Sequence, residues 1–176
     1  MSEEAVIRAE RDGDHEAIRR VVGAAFDSQV EADLVEAIRS SPEYVAEMAL
    51  VAEVDGEIVG HVMISGATLR TDGGDRPIVM LSPLAVHPDH QRRGVGGTLV
   101  RAATALAARA GEPLVTVEGD PRYYSQFGFE FSRPLGIEFT LPDWAPVKAG
   151  QILRLAGYDT TLRGAVIYPP AFDDLE

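Results

Sequence analysis

Residues 78–98 read Ile78-Val79-Met80-Leu81-Ser82-Pro83-Leu84-Ala85-Val86-His87-Pro88-Asp89-His90-Gln91-Arg92-Arg93-Gly94-Val95-Gly96-Gly97-Thr98. The run from Ile78 to Val86 is apolar enough for a buried strand, and His87-Pro88 breaks it. Beyond the glycines, Val95, Leu99, Ala102, Ala103, Leu106 and Ala110 recur at helical spacing, and Gly111 stops the pattern. The stretch is therefore a strand, a glycine turn and a helix. Glycines permit positive φ and a close backbone approach. The first helical turn leaves N–H groups unpaired at the positive end of the helix dipole, a ready site for a phosphate or pyrophosphate. Arg92 and Arg93 add cationic donors there, and Thr98 a hydroxyl.

Working upstream, Ala5 to Ala9 suits a short first strand. Asp12 or Asp14 caps a helix through Phe26, with Ala17, Ile18, Val21, Val22 and Ala25 on one face. A second helix fits Val30 to Arg39, with Leu34, Val35 and Ile38 inward and Pro42 beyond its end. Strands follow over Met48–Val54 and Glu57–Leu69, joined by Asp55-Gly56, a strong hairpin signal. Thr71 to Asp75 forms a longer turn into the Ile78–Val86 strand, completing an antiparallel meander. Downstream of the central helix, Leu114 to Val117 is a short strand, and strand–helix–strand implies a parallel crossover. Asp120-Pro121 opens a short helix through Phe127, ended by Gly128. The tail reads as strands over Ile137–Leu141, Gln151–Leu155 and Ala165–Tyr168. The fold class is mixed α+β, in one domain over 1–176 with a core of 5–140 and a strand-rich extension of 141–176.

The glycine turn fits neither of two common phosphate loops. A Walker loop needs G-x-x-x-x-G-K-[ST], and the only lysine in the chain is Lys148. A dinucleotide fingerprint needs a third glycine where Leu99 stands, and opens with βαβ rather than a meander.

Composition narrows the function further. The 176 residues carry a net charge of −12, which disfavours nonspecific binding to nucleic acid or anionic membrane, so an anionic ligand needs a local cluster. There is no cysteine, which removes disulfides, thiolate metal sites and cysteine nucleophiles. His15, His61, His87 and His90 lack zinc-enzyme spacing, so no metal is expected. The acidic Met1-Ser2-Glu3-Glu4 start precedes no long apolar run, and a cytoplasmic location is expected.

Gln91-Arg92-Arg93-Gly94-Val95-Gly96 matches the [QR]-x-x-G-x-[GA] signature, with Leu84-Ala85-Val86-His87-Pro88-Asp89-His90 directly upstream. On these residues the chain resembles the GCN5-related N-acetyltransferase (GNAT) superfamily, strongly over about 78–131. The element order resembles that fold too: a mostly antiparallel sheet with a central, splayed parallel strand pair and flanking helices. Tyr123-Tyr124-Ser125-Gln126-Phe127-Gly128-Phe129 resembles the family's Y-x-x-x-G-F element. Gly119 to Tyr124, with Ile167 to Phe172, looks most like the YhbS-like bacterial branch.

The resemblance implies an N-acetyltransferase that moves acetyl from acetyl-CoA, its co-substrate, to a primary amine of a small molecule or protein. The backbone of Leu84, Ala85 and Val86 would hold the pantetheine arm, with the Leu84 N–H polarising the thioester carbonyl. Gln91, Arg92, Arg93, Gly94, Val95, Gly96, Gly97 and Thr98 would hold the pyrophosphate. Tyr124 stands at the motif tyrosine and is the expected general acid, while Tyr123 is expected to pack. Some branches carry a glutamate base where this chain has Met80; Glu118, at the end of the parallel strand, is the substitute candidate, ahead of Ser82 and His87. Each has a plain structural alternative: a core tyrosine for Tyr124, a solvated strand-end carboxylate for Glu118, a loop-shaping ring for His87. His61 is expected to satisfy a core polar contact, Asp120 to cap a helix, and Trp144 and Tyr158 to pack rather than line an acceptor pocket. A homodimer is compatible with the resemblance. The rival from another class is a non-catalytic acyl-CoA-binding module with the same fold.

Overall fold

A computed structural model describes residues 4–174. The meander expected from Asp55-Gly56 onward is the centre of a nine-stranded sheet. Strand β1 (Val6–Ala9) is followed by helices α1 (His15–Phe26) and α2 (Val30–Arg39). Then come β2 (Tyr44–Val54), β3 (Glu57–Thr71) and β4 (Gly74–Val86), each pairing antiparallel with the one before. β3 and β4 are joined by Asp72-Gly73 alone, since the ladder continues to Thr71 opposite Gly74. The longer turn expected there is a tight hairpin.

After β4 the grammar changes as the sequence suggests. Helix α3 (Val95–Arg109) crosses over to β5 (Leu114–Glu118), which lies parallel to β4. α4 (Pro121–Ser125) is shorter than its motif, because Gly128 at φ 93° turns the chain away. Its start is as expected: the Asp120 side chain accepts from the Arg122 N–H. β6 (Glu130–Phe131) and β8 (Gly150–Arg154) extend the sheet beyond β5. β7 (Ile137–Glu138) and β9 (Gly164–Ile167) form a second, short parallel pair, and β9 docks on the far end of β3 at Thr68–Arg70. That return brings the chain's last segment beside β4.

Alternation along β3 assigns the two faces. Val62 and Ile64 pack with Val95, Leu99, Val100 and Ala103 of α3. Met63, one residue out of phase, packs with Ile18 and Val22 of α1 and with Leu34, Val35 and Ile38 of α2. Burying each large aliphatic chain stabilises by about 1.5–3 kcal/mol. His61 shares the α1/α2 face and is fully buried, its Nε2 2.8 Å from Glu10. Glu10 also accepts from Arg39 at 2.6 Å and Tyr44 at 3.1 Å. Burial alone would raise the Glu10 carboxyl, but the bonds from His61 and Arg39 outweigh it and hold it at about 2. Burial lowers the His61 imidazole, so the ring is a neutral donor to Glu10. The expected core role of His61 is what the contacts show, and through Arg39 the cluster ties α2 to the sheet.

Candidate active site

The site begins where β4 and β5 part. They pair at Val79–Val115 and Met80–Thr116, with the Thr116 hydroxyl donating to the Val79 carbonyl at 2.9 Å. Immediately beyond, Ser82 and Pro83 together oppose the single residue Met63, an extra residue that bends β4. Pro83 also brings no N–H. The two strands diverge from there.

The ladder then decides which amides face the gap. The His87 N–H bonds the Val59 carbonyl at 2.8 Å, so Val59 and His87 form a hydrogen-bonded pair. Antiparallel pairs alternate. Ala85 opposite His61 is therefore also hydrogen-bonded to β3, whereas Leu84 and Val86 turn their N–H and C=O groups toward the gap. Of the run Leu84, Ala85 and Val86, alternate residues present their backbone to the gap, and Ala85 is buried against the α1/α2 face. The Val86 carbonyl accepts from the Gln91 side chain at 2.9 Å, so Gln91 ties the following loop to the strand end.

The loop itself carries Arg92 at φ 63° and Gly94 at φ 86°. A left-handed glycine directly before the first helical residue lets α3 start abruptly from the turn. The first bond inside the helix is Thr98 N–H to the Gly94 carbonyl, at 3.1 Å. The N–H groups of Val95, Gly96 and Gly97 thus have no partner within the helix. The Thr98 hydroxyl donates back to the Gly94 carbonyl at 2.9 Å, which makes it part of the turn. A Cβ on Gly96 would lie 2.6 Å from the Tyr123 hydroxyl, so Tyr123 sits over the start of α3. That placement is invisible in sequence, where Tyr123 reads as packing.

Tyr124 faces the other way. Its ring meets Tyr123 at 5.1 Å and Phe129 at 5.6 Å, both edge-on, and a Cβ on Gly119 would lie 2.5 Å from it. The ring is held between β5 and the end of the motif, and its hydroxyl bonds no other described residue. Burial raises the phenol well above its usual value, with Tyr123 adding to the shift, so the hydroxyl keeps its proton. Glu118 accepts from the Tyr168 hydroxyl at 2.5 Å. Burial and that carboxylate raise Tyr168 in turn.

Leu84, Glu118 and Tyr124 line one cleft of about 470 Å³, together with Met80, Ser82, Trp144, Tyr168 and others. His87 lies elsewhere and shapes its loop, its Nδ1 accepting the Asp89 N–H at 3.1 Å. Trp144, expected to pack, is 83% exposed at the cleft; Tyr158 does pack, under the Arg154 guanidinium at 5.6 Å. Among the described residues no group of three or more His, Asp or Glu is placed to hold a metal ion. No described helix is long and apolar enough to cross a membrane.

A sheet parted at its central parallel seam, leading to bare amides at a helix start, defines an acetyltransferase of the GNAT type. The chain belongs to that family: the acetyltransferase (GNAT) domain matches residues 6–132. Escherichia coli YhbS, described as an uncharacterized N-acetyltransferase, is 31% identical over 90% of this chain and 91% of its own. Escherichia coli YjhQ, described likewise, is 35% identical over 64% of this chain, a match that spans 62% of the relative's length. The crystal structure of YhbS in complex with CoA superposes with TM-score 0.87 and 30% identity, covering 100% of this chain and 96% of that one. A Brucella melitensis GNAT acetyltransferase in complex with acetyl-CoA gives TM-score 0.78 at 31% identity, covering 97% and 99%.

Proposed function

We propose that the chain, acting as one catalytic unit over 1–176, is a bacterial, cytoplasmic enzyme that transfers acetyl from acetyl-CoA to a primary amine. The observation that carries the reading is the continuity of the gap. The outward groups of Leu84 and Val86 run along β4 to the bare amides of Val95, Gly96 and Gly97, and Glu118 and Tyr124 stand at the opposite end. A long ligand with a diphosphate at one end and a reactive thioester at the other fits that sequence of groups. The CoA and acetyl-CoA complexes of the two similar structures support the same ligand.

In this reading the α3 amides and Arg92 hold the diphosphate, while Val86 and Leu84 hold the arm. The Leu84 N–H donates to the thioester carbonyl, where negative charge grows as an amine attacks. A nitrogen–carbon bond forms and the carbon–sulfur bond breaks. The proton lost by the amine passes to the Glu118 carboxylate, which Tyr168 orients. Tyr124 donates its hydroxyl proton to the departing sulfur and regains one from solvent as the products leave. Burial raises that phenol, so the hydroxyl still carries its proton when the sulfur leaves. Holding the partners in line supplies much of the remaining rate.

An amine panel assayed for release of free CoA tests the proposal, with isothermal calorimetry on CoA alongside. Turnover by the wild type, with a kcat defect and near-normal CoA affinity in Tyr124→Phe, supports it. Tight CoA binding without turnover on a broad panel returns the non-catalytic binding module instead.

A further inference from the structure

The first turn of α3 holds two consecutive glycines, Gly96 and Gly97, although glycine is a poor helix former. The space beside each is taken. A Cβ on Gly96 would lie 2.6 Å from the Tyr123 hydroxyl, and one on Gly97 would lie 3.1 Å from Arg101 Nη1 and 3.3 Å from the Phe127 ring. The Cα–Cβ bonds of a helix tilt toward its N-terminus, so both polar groups stand on the side to which the bare amides of Val95, Gly96 and Gly97 point. Arg101 reaches back there from one turn further along, as a long helical side chain does. The Val86 side chain lies 3.5 Å from the same Gly96 position, so the spot is where the gap along β4 meets the helix.

The two groups are held in place, and neither is used. The Arg101 guanidinium lies 4.9 Å over the Phe127 ring, and Tyr123 meets that ring edge-on at 5.3 Å. No described carboxylate pairs with Arg101, and the Tyr123 hydroxyl bonds no described residue. Arg101 is exposed and Tyr123 half-buried, with its hydroxyl not shut off from solvent, so a ligand can reach both. Burial raises the Tyr123 phenol, so the hydroxyl keeps its proton to give, and the Arg101 charge is close enough to oppose that rise. In a chain of net charge −12, such a gathering of donors calls for an anion from outside.

We propose that Tyr123 and Arg101 bind the diphosphate of CoA directly, as a layer of side chains over the α3 amides. This rests on the acetyl-transfer reading and adds binding residues to its donor site. The hydroxyl donates to one phosphate oxygen and the guanidinium to its neighbours. Neither touches a reacting atom. Gly96 gains a task as well: the signature admits alanine there, but in this chain a methyl would push the hydroxyl off its phosphate. Once Tyr123→Phe has removed the hydroxyl, the nearest ring carbon is 3.8 Å away, an ordinary contact, and Gly96→Ala is accommodated.

Calorimetry of the full chain with CoA and with 3′-dephospho-CoA tests this, with urea unfolding alongside and, on any amine that is acetylated, kcat and KM for acetyl-CoA. Tyr123→Phe and Arg101→Gln are each expected to weaken both ligands by about tenfold, the scale of one hydrogen bond to a charged group, and Arg101→Lys to recover part. The donor KM is expected to rise by the same factor while kcat stays within about twofold. Gly96→Ala is expected to match Tyr123→Phe, and the double variant to bind CoA no more weakly than either, since both remove one contact. A variant that binds CoA like the wild type removes its residue from the site; if both Tyr123→Phe and Arg101→Gln do so, the inference is overturned and acetyl transfer stands. A loss in Arg101→Gln seen with CoA but not with 3′-dephospho-CoA assigns that residue to the 3′-phosphate and overturns its place here. Losses that follow a fall in unfolding stability, with Arg101→Lys no better than Arg101→Gln, make the pair scaffold and overturn it also. A folded wild type that binds no CoA overturns the transfer reading, and this inference with it.

Discussion

The two ends of the cleft are built from different materials. Along the stretch proposed to hold CoA the groups are mainly backbone: the outward amides of Leu84 and Val86 and, beyond them, the bare N–H groups of Val95, Gly96 and Gly97. At the acceptor end they are side chains, drawn from α1, α2, β5 and the last segment of the chain. Backbone donors are positioned by one local run of sequence and change little when side chains change. Side-chain walls depend on distant segments arriving together, as Tyr168 does at Glu118 across 50 positions. One end is suited to a ligand common to a family, the other to a substrate particular to the protein.

Substitutions that separate the ends test this contrast. Tyr124→Phe, at the junction, is expected to lower kcat by about 10²-fold while CoA affinity from calorimetry stays within about twofold. Glu10→Gln strikes the scaffold under the acceptor wall, because Glu10 holds Arg39 of α2. It is expected to destabilise by about 3 kcal/mol at neutral pH in urea unfolding, leaving His61 and Arg39 without their carboxylate. The carboxyl is depressed in the folded chain, so its contribution is complete above its unfolded value, near 4.5, and fades as pH falls toward 2. The gap between wild type and variant should narrow over that window. If it widens, the cluster has been misjudged. Gly119→Ala puts a methyl 2.5 Å from the Tyr124 ring and should cost about tenfold in kcat, less than loss of the hydroxyl, with CoA binding retained. Trp144→Ala is the mildest: a rise of about threefold in the acceptor KM, with no change in Tm, since the ring is open to solvent. An equal effect on CoA affinity would erase the distinction between the ends.

The same contrast explains how much could be read beforehand. The strand, glycine turn and helix over 78–110 were legible because each signal is local: an apolar run, a proline, positive-φ glycines, then helical spacing. Val30–Arg39 was legible to the residue for the same reason. The last strand was legible too, as Ala165–Tyr168, but its return to β3 was not, because the pairing joins segments far apart in the chain and leaves no local signal. Of the residues that line the cleft, Tyr124 stands out in the sequence through its motif and Glu118 through its position at a strand end. Tyr123 packs as expected, against Tyr124 and Phe127, but nothing in its own helix tells that its hydroxyl reaches the start of α3 at Gly96.

The doubled residue at Ser82-Pro83 opposite Met63 sets a phase for everything downstream. Strand orientation repeats every second residue, so an unbroken ladder running on from Leu81 would set Leu84 instead of Ala85 opposite His61 and absorb its amide into the hairpin. The extra residue restores the other phase, in which Leu84 and Val86 address the rift. A strand that slipped one place to close the bulge would keep every side chain of the site, yet offer its guest the wrong set of amides.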